Sequence, residues 1–199
     1  MLVQTKRFTI AEYHRLDEIG LLQKENHEDR TELIRGEILF MAAKGTKHTV
    51  CCSNVNRELN KLVGDRAIIR CQDPILLPPD SQPEPDFVIV RDRPDNYLDG
   101  HPLPEDILLV IEIADSSLIY DRDIKGAMYA EAGISDYWLF NLNDNRLEAY
   151  SEPYVDAQGK GNYTQRRYIF SHQLIFIPAF PDLQIKLSKI LSNISSNFT

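Results

Sequence analysis

A glutamate inside an apolar strand is the feature that most restricts this chain. Leu108-Leu109-Val110-Ile111-Glu112-Ile113 is a Leu/Val/Ile run interrupted only by Glu112. Pro85-Asp86 opens a second apolar run, Phe87-Val88-Ile89-Val90. Runs of this kind read as strands with both faces covered, as in a sheet flanked by helices. A carboxylate placed there costs free energy unless a metal, an arginine or several hydrogen-bond donors compensate it. The fold must therefore bring such a partner to each acid.

The flanking segments supply the covering layers. Thr9-Ile10-Ala11-Glu12 is a capping box, followed by Ile10, Tyr13, Leu16 and Ile19 at helical spacing and by Gly20 as a stop. Glu32-Leu33-Ile34 and Glu37-Ile38-Leu39-Phe40-Met41 flank Arg35-Gly36 as a β-hairpin. A helix is expected from Lys47 to Val63, with Val50, Val55, Leu59 and Leu62 inward and Gly64 at its end. Strands are expected at Ala67 to Cys71, continuing through Ile75 to Leu77, then at Asp86 to Val90 and Leu108 to Ala114. A helix from Tyr120 to Ala132 and strands at Tyr137 to Phe140 and Leu147 to Tyr150 come next. Further strands are expected at Tyr163 to Phe170, Leu174 to Ile177 and Leu183 to Leu187, and a frayed tail from Ser192. This order implies an α/β (α+β) fold, a mixed sheet flanked by helices.

Composition narrows the class. The chain has 199 residues, enough for one sizeable core, so a single domain over 1–199 is expected. A formal net charge of -8 argues against broad charge-driven adhesion to nucleic acid, although an acidic metal site becomes neutral once its ion is bound. Lys6-Arg7 and Arg166-Arg167 are local basic pairs, each able to touch phosphate or simply to solvate the surface. The apolar runs are too short to span a membrane, and the start lacks the apolar stretch of a signal peptide. Cys51, Cys52 and Cys71 are odd in number and two are adjacent, so they read as reduced thiols of a cytoplasmic protein.

The residues able to do chemistry are few. Asp86 follows a proline, which lacks a backbone N–H and suits a strand start, so the acid falls at the sheet margin. Glu112 invites either an ion or a structural salt bridge. In a helix, Asp121, Lys125 and Tyr129 share one face, so Lys125 either reaches over the sheet toward Glu112 or pairs with Asp121 at the surface. Two carboxylates around a divalent ion, with a lysine beside them, suit phosphodiester hydrolysis. Glu32 on the hairpin and His48 at the head of the second helix are further candidates as ligands, water-orienting groups or phosphate contacts, and both are equally ordinary as surface or capping residues. Trp138 reads as core packing. Neither a glycine-rich phosphate loop nor a Gly-x-Ser-x-Gly elbow is present.

Taken in order, Glu32-Leu33-Ile34-Arg35-Gly36-Glu37, His48, Pro85-Asp86, Val110-Ile111-Glu112-Ile113, Asp121 to Lys125 and Tyr129 to Leu139 resemble the PD-(D/E)XK superfamily of restriction-endonuclease-like nucleases. Within it they resemble the bacterial domain of unknown function 820 family, described as restriction endonucleases. The resemblance spans about residues 10 to 187. It implies a nuclease core over about 47–141 made of helix, three antiparallel strands, helix and a fourth strand. It implies that Asp86 and Glu112, helped by the Ile113 carbonyl, bind Mg2+ or Mn2+, and that the chain is an endonuclease acting on nucleic acid, DNA foremost. A homodimer follows by analogy. The superfamily places a lysine two residues after the second acid, where this chain has Ala114; the narrower family carries it on the following helix, here Lys125. Asp115-Ser116 stands where that family shows Ser-Pro. Ala114 keeps open a catalytically inactive binding or scaffold module, and the same carboxylates would also serve another phosphate ester.

Overall fold

The computed structural model describes residues 4–22, 30–41 and 43–192. Of the tail expected to fray from Ser192, residues 193–199 lie outside the described residues. Contacts group the chain into two compact units, Met1–Ala43 with Pro74–Glu84, and Lys44–Asp73 with Pro85–Thr199.

In the first unit, α1 (Ile10–Glu18) starts at the expected capping box, with Thr9 and Glu12 bonding each other's backbone. Strands β1 (Thr31–Ile34) and β2 (Glu37–Phe40) pair antiparallel around Arg35-Gly36. Both turn residues have positive φ, 50° and 76°, which suits a two-residue hairpin turn, and glycine meets that demand without strain. The Tyr13 hydroxyl donates to the Thr31 carbonyl at 2.9 Å, tying α1 to the hairpin. Leu33 bridges to Gln82. Ile75 to Leu77, expected to extend a strand, instead belong to this unit, where Leu77 makes only an isolated bridge to Ser81. Pro78 and Pro79 follow at once, and prolines cannot donate to a ladder.

The second unit is built on a six-stranded sheet in the order β3-β4-β5-β6-β7-β8. Its members are β3 (Ile68–Cys71), β4 (Phe87–Val90), β5 (Ile107–Ala114), β6 (Asp136–Asn141), β7 (Arg146–Val155) and β8 (Gly161–Phe170). β3, β4 and β5 are antiparallel neighbours, and β6 joins β5 in parallel. The parallel step needs a crossover, and the segment between β5 and β6 supplies it. That segment is α3 (Leu118–Tyr120), a π-turn (Asp121–Lys125) and α4 (Gly126–Glu131), where one regular helix was expected. A π-turn inserts a residue into the helical ladder and re-aims the side chains after it.

On one face of the sheet lies α2 (Thr46–Val63), whose Cys51, Val55, Leu59 and Val63 join Phe87, Ile89, Ile111, Ile113, Trp138 and Phe140 in one apolar cluster. Of the expected inward row, Val55 and Leu59 are buried and Leu62 packs partly buried against this core, whereas Val50 is 37% exposed and Cys51 takes its place. A small antiparallel pair, β9 (Leu174–Ile177) and β10 (Phe180–Lys186), with α5 (Ser188–Leu191), adds Ile175, Ile185, Ile190 and Leu191 to the same core. α4 covers part of the other face, passing so close to β8 that a Cβ on Gly161 would lie 2.3 Å from the Ala127 carbonyl oxygen. No helix among the described residues is long and apolar enough to cross a membrane.

Candidate functional site

Glu112 lies on β5, and its cross-strand row continues through Leu139 on β6 to Glu148 on β7. Phe87 pairs with Ile111, so Asp86, one residue earlier, stands opposite Glu112 on the same face. The Asp86 N–H donates to Glu112 Oε2 at 3.3 Å, and the Ile113 N–H donates to Asp86 Oδ2 at 2.9 Å. The two acids are thus interlocked through each other's strands. Both are buried, 8% and 4% exposed, where an ionised pair needs compensation.

The compensation comes from two helical segments. Lys125, 5% exposed at the end of the π-turn, donates to Glu112 Oε1 at 3.2 Å. Tyr129, one turn further on, donates to the same oxygen at 2.7 Å. Of the two readings of Lys125 in the sequence, the solvated surface lysine is the one the structure overturns. His48 in the first turn of α2 meets Asp86 Oδ2 through Nε2 at 3.0 Å. Gln72, with φ of 57° just past β3, donates to Asp86 Oδ1 at 3.3 Å. Cys52, one turn after His48, lies 3.4 Å from His48 Nδ1 and 3.9 Å from Asp86 Oδ1. Ligand atoms of His48, Cys52 and Asp86 all fall within 4.8 Å of one another.

These surroundings separate the two acids. Burial opposes the charge on Asp86, but the hydrogen bond and attraction of His48, with the Ile113 N–H and Gln72, more than offset it and hold the carboxyl below its ordinary value. Glu112 is pushed up to about 8 by burial, against the pull of Lys125 and with Asp121 and Asp86 adding repulsion. Burial also raises the Cys52 thiol, so it keeps its proton and leaves Asp86 as the charged member of the His48, Cys52 and Asp86 group.

Asp86, Glu112, Lys125 and His48 therefore meet in one site, with the Ile113 backbone at its edge. Glu32, on β1 of the first unit, is buried and accepts from the Glu84 N–H at 3.3 Å. Tyr129, Gln72 and Cys52 were not singled out from the sequence as site residues. The one signal was spacing, since Tyr129 follows Lys125 and Cys52 follows His48 by one helical turn.

Three strands, a helical crossover and a parallel fourth strand, with acids on the second and third strands, define a restriction-endonuclease-like protein. The sequence pattern of the Uma2 family, described as "Putative restriction endonuclease", matches residues 10–188, and the chain belongs to that family. Among solved structures it is similar to one described as "a putative nuclease belonging to DUF820 from Anabaena variabilis ATCC 29413", with a TM-score of 0.66 and 16% identity over 94% of this chain and 99% of that one. It is also similar to the type IIG restriction endonuclease BpuSI, with a TM-score of 0.38 and 15% identity over 77% of this chain and 17% of that one. No curated protein matches.

Proposed function

We propose that the chain is a metal-dependent endonuclease that hydrolyses phosphodiester bonds of DNA. The observation that carries this is the buried pair Asp86 and Glu112 on one sheet face, with the Lys125 amine 3.2 Å from Glu112 rather than turned to solvent. The donor set fits a hard divalent cation, because two buried carboxylates lie on neighbouring strands, each bonded to the backbone of the other's strand, and a cation between them would offset their mutual repulsion. Asp86 and Glu112 would hold Mg2+ or Mn2+, with the Ile113 carbonyl as a further oxygen. Such an ion supplies Lewis acidity toward the phosphate and lowers the pKa of water.

The chain's own groups do the rest. Lys125 is placed to stabilise negative charge on the phosphorus oxygens as it develops. Tyr129 fixes one Glu112 oxygen, and His48 and Gln72 fix Asp86, so both acids are oriented before substrate arrives. Ala114, at the motif's lysine position, does not abolish this reading, since Lys125 delivers its amine to the same acid from the crossover. Glu32 remains a secondary candidate for a contact to substrate. By likeness to the family, the protein would work in the cytoplasm as a homodimer, each protomer cutting one strand.

Incubation of DNA with Mg2+ or Mn2+ tests the reading. Wild type should cut, and Asp86→Ala should be slower by about 100-fold or more. A manganese soak read by anomalous diffraction should give a peak between Asp86 and Glu112. A folded wild type that neither cuts DNA nor binds Mn2+ there would move the assignment to a non-catalytic scaffold.

A further inference from the structure

Glu148 on β7 is fully buried, 0% exposed, and three arginines from three separate segments converge on it. Arg122 of the π-turn donates from Nε at 3.0 Å and Nη2 at 2.6 Å, Arg146 from Nη2 at 3.1 Å, and Arg166 of β8 from Nη2 at 2.7 Å. Asn141 and Tyr150 add bonds at 2.9 and 2.7 Å. A structural salt bridge needs one cation. Here the carboxylate is sunk while the guanidinium side chains reach the surface, with exposures of 22%, 23% and 37%. Each arginine turns Nη2 inward, and Nη1 of all three has no hydrogen-bond partner among the described residues. Asp144 draws on Arg146 through Nη2 as well.

The setting is that of a fixed anion receptor. Guanidinium groups held by a common carboxylate have lost their rotamer freedom beforehand, and the free edge of each matches a phosphate oxygen. Arg146 and Arg166 also lie over the half-exposed ring of Tyr168, at 4.2 and 4.9 Å. Tyr168 pairs with Glu148 across β7 and β8, so it stands on the same face. Interleaved arginine and exposed aromatic side chains are what single strands of nucleic acid stack and slide upon.

Position links this cluster to the carboxylates. Glu112, Leu139 and Glu148 form one row over adjacent strands, so the two glutamates are two strand spacings apart, roughly 10 Å. That is about three nucleotide rises along a stacked strand. The same π-turn sends Lys125 to Glu112 and Arg122 to Glu148.

We propose that Arg122, Arg146 and Arg166 form a binding site for a backbone phosphate of the DNA strand, a few nucleotides from the bond that Asp86 and Glu112 address. The inference rests on the nuclease reading for its geometry, and its test does not require cleavage. Binding of a labelled DNA oligonucleotide is followed by fluorescence anisotropy in chelator, with folding checked by melting. Arg146→Gln and Arg166→Gln should each weaken binding about fivefold to tenfold and reduce the slope of log affinity against log salt by about 0.7 to 0.9. Arg166→Lys, which keeps the charge and loses the fork, should restore the slope while leaving affinity below wild type.

Unchanged affinity and slope in the folded Gln variants would overturn the proposal, as would a wild type that binds no DNA. Inorganic phosphate that protects wild type and the Gln variants equally against melting, with DNA affinity equal in all of them, would also overturn it. DNA held through these arginines but left uncut with Mn2+ would sink the nuclease reading alone.

Discussion

Glu112 and Glu148 stand in the same cross-strand row, separated only by Leu139, yet they are held in opposite electrostatic states. Glu148 is surrounded by Arg122, Arg146 and Arg166, and although burial opposes its charge, hydrogen bonds from Arg122, Asn141, Tyr150 and Arg146 keep it far below the usual carboxylate range. Glu112 has one lysine and one tyrosine, and burial carries it up to about 8. Both acids are buried, so the difference comes from the number of cations and hydrogen-bond donors within reach, and from the neighbouring acids beside Glu112. The acid left undercompensated is the one beside Asp86, where a divalent ion would complete the charge balance.

Above about pH 8, where Glu112 is ionised, Lys125→Met should lower stability, because it leaves the buried carboxylate without its cation. Breaking a buried pair costs about 3–5 kcal/mol, which in a chain of this size lowers Tm by roughly 6–20 °C. Lys125→Met with Glu112→Gln should recover a large part of that loss. Calorimetry on the two single variants and the double variant checks this, and a double variant as unstable as the sum of the singles would refute the pairing.

Tyr129→Phe removes only the hydroxyl that donates to Glu112 at 2.7 Å. The ring stays packed, so the protein should fold with a loss of about 0.5–1.5 kcal/mol, the range for a hydrogen bond to a neutral group. Cleavage should fall by less than in Asp86→Ala, because Tyr129 orients an acid and touches no substrate. A denaturation curve beside a cleavage rate reads both effects.

Acid stability should depend on Glu148. Its folded pKa lies below its unfolded value, about 4.3, so its stabilisation is complete above that value and is lost as pH falls through the folded pKa. Wild type should therefore lose melting temperature steeply below about pH 4.5, and Glu148→Gln, less stable at neutral pH, should show a flatter profile over that window. Parallel profiles for the two proteins would remove Glu148 from the account.

Gly161→Ala should destabilise through packing between α4 and β8. The added methyl would lie 2.3 Å from the Ala127 carbonyl oxygen and 2.5 Å from the Glu131 backbone nitrogen, both backbone atoms that cannot swing aside. Overpacking of this kind costs about 1–3 kcal/mol. A melting curve indistinguishable from wild type would show that α4 yields.

Much of the fold was readable in the chain. The capping box at Thr9 and Glu12, the Arg35-Gly36 turn and the apolar runs around Asp86 and Glu112 are local signals, each specified by neighbours within a few residues. The same locality explains the errors. On α2, Val55 and Leu59 lie inward as their spacing predicts, but Cys51 is buried in place of Val50 because the sheet beneath selects the row. The π-turn at Asp121–Lys125 left no mark in the spacing of apolar residues, and there the pairing of Lys125 with Glu112 was decided.

By itself the sequence determined that the strand with Glu112 must bury an acid, because a carboxylate among leucines, valines and isoleucines is costly wherever the chain runs, and that a lysine follows on the crossover, but it left the buried Glu148 unmarked. Tertiary structure decided the partners. Arg146 lies two residues before Glu148 on β7, but Arg122 and Arg166 reach Glu148 only through the crossover and the register of β7 with β8, and His48, Gln72 and Tyr129 reach Asp86 and Glu112 from three different segments. A charge in a strand is a local fact, whereas its compensation is set by which distant segments the sheet order and helix packing bring within hydrogen-bond reach.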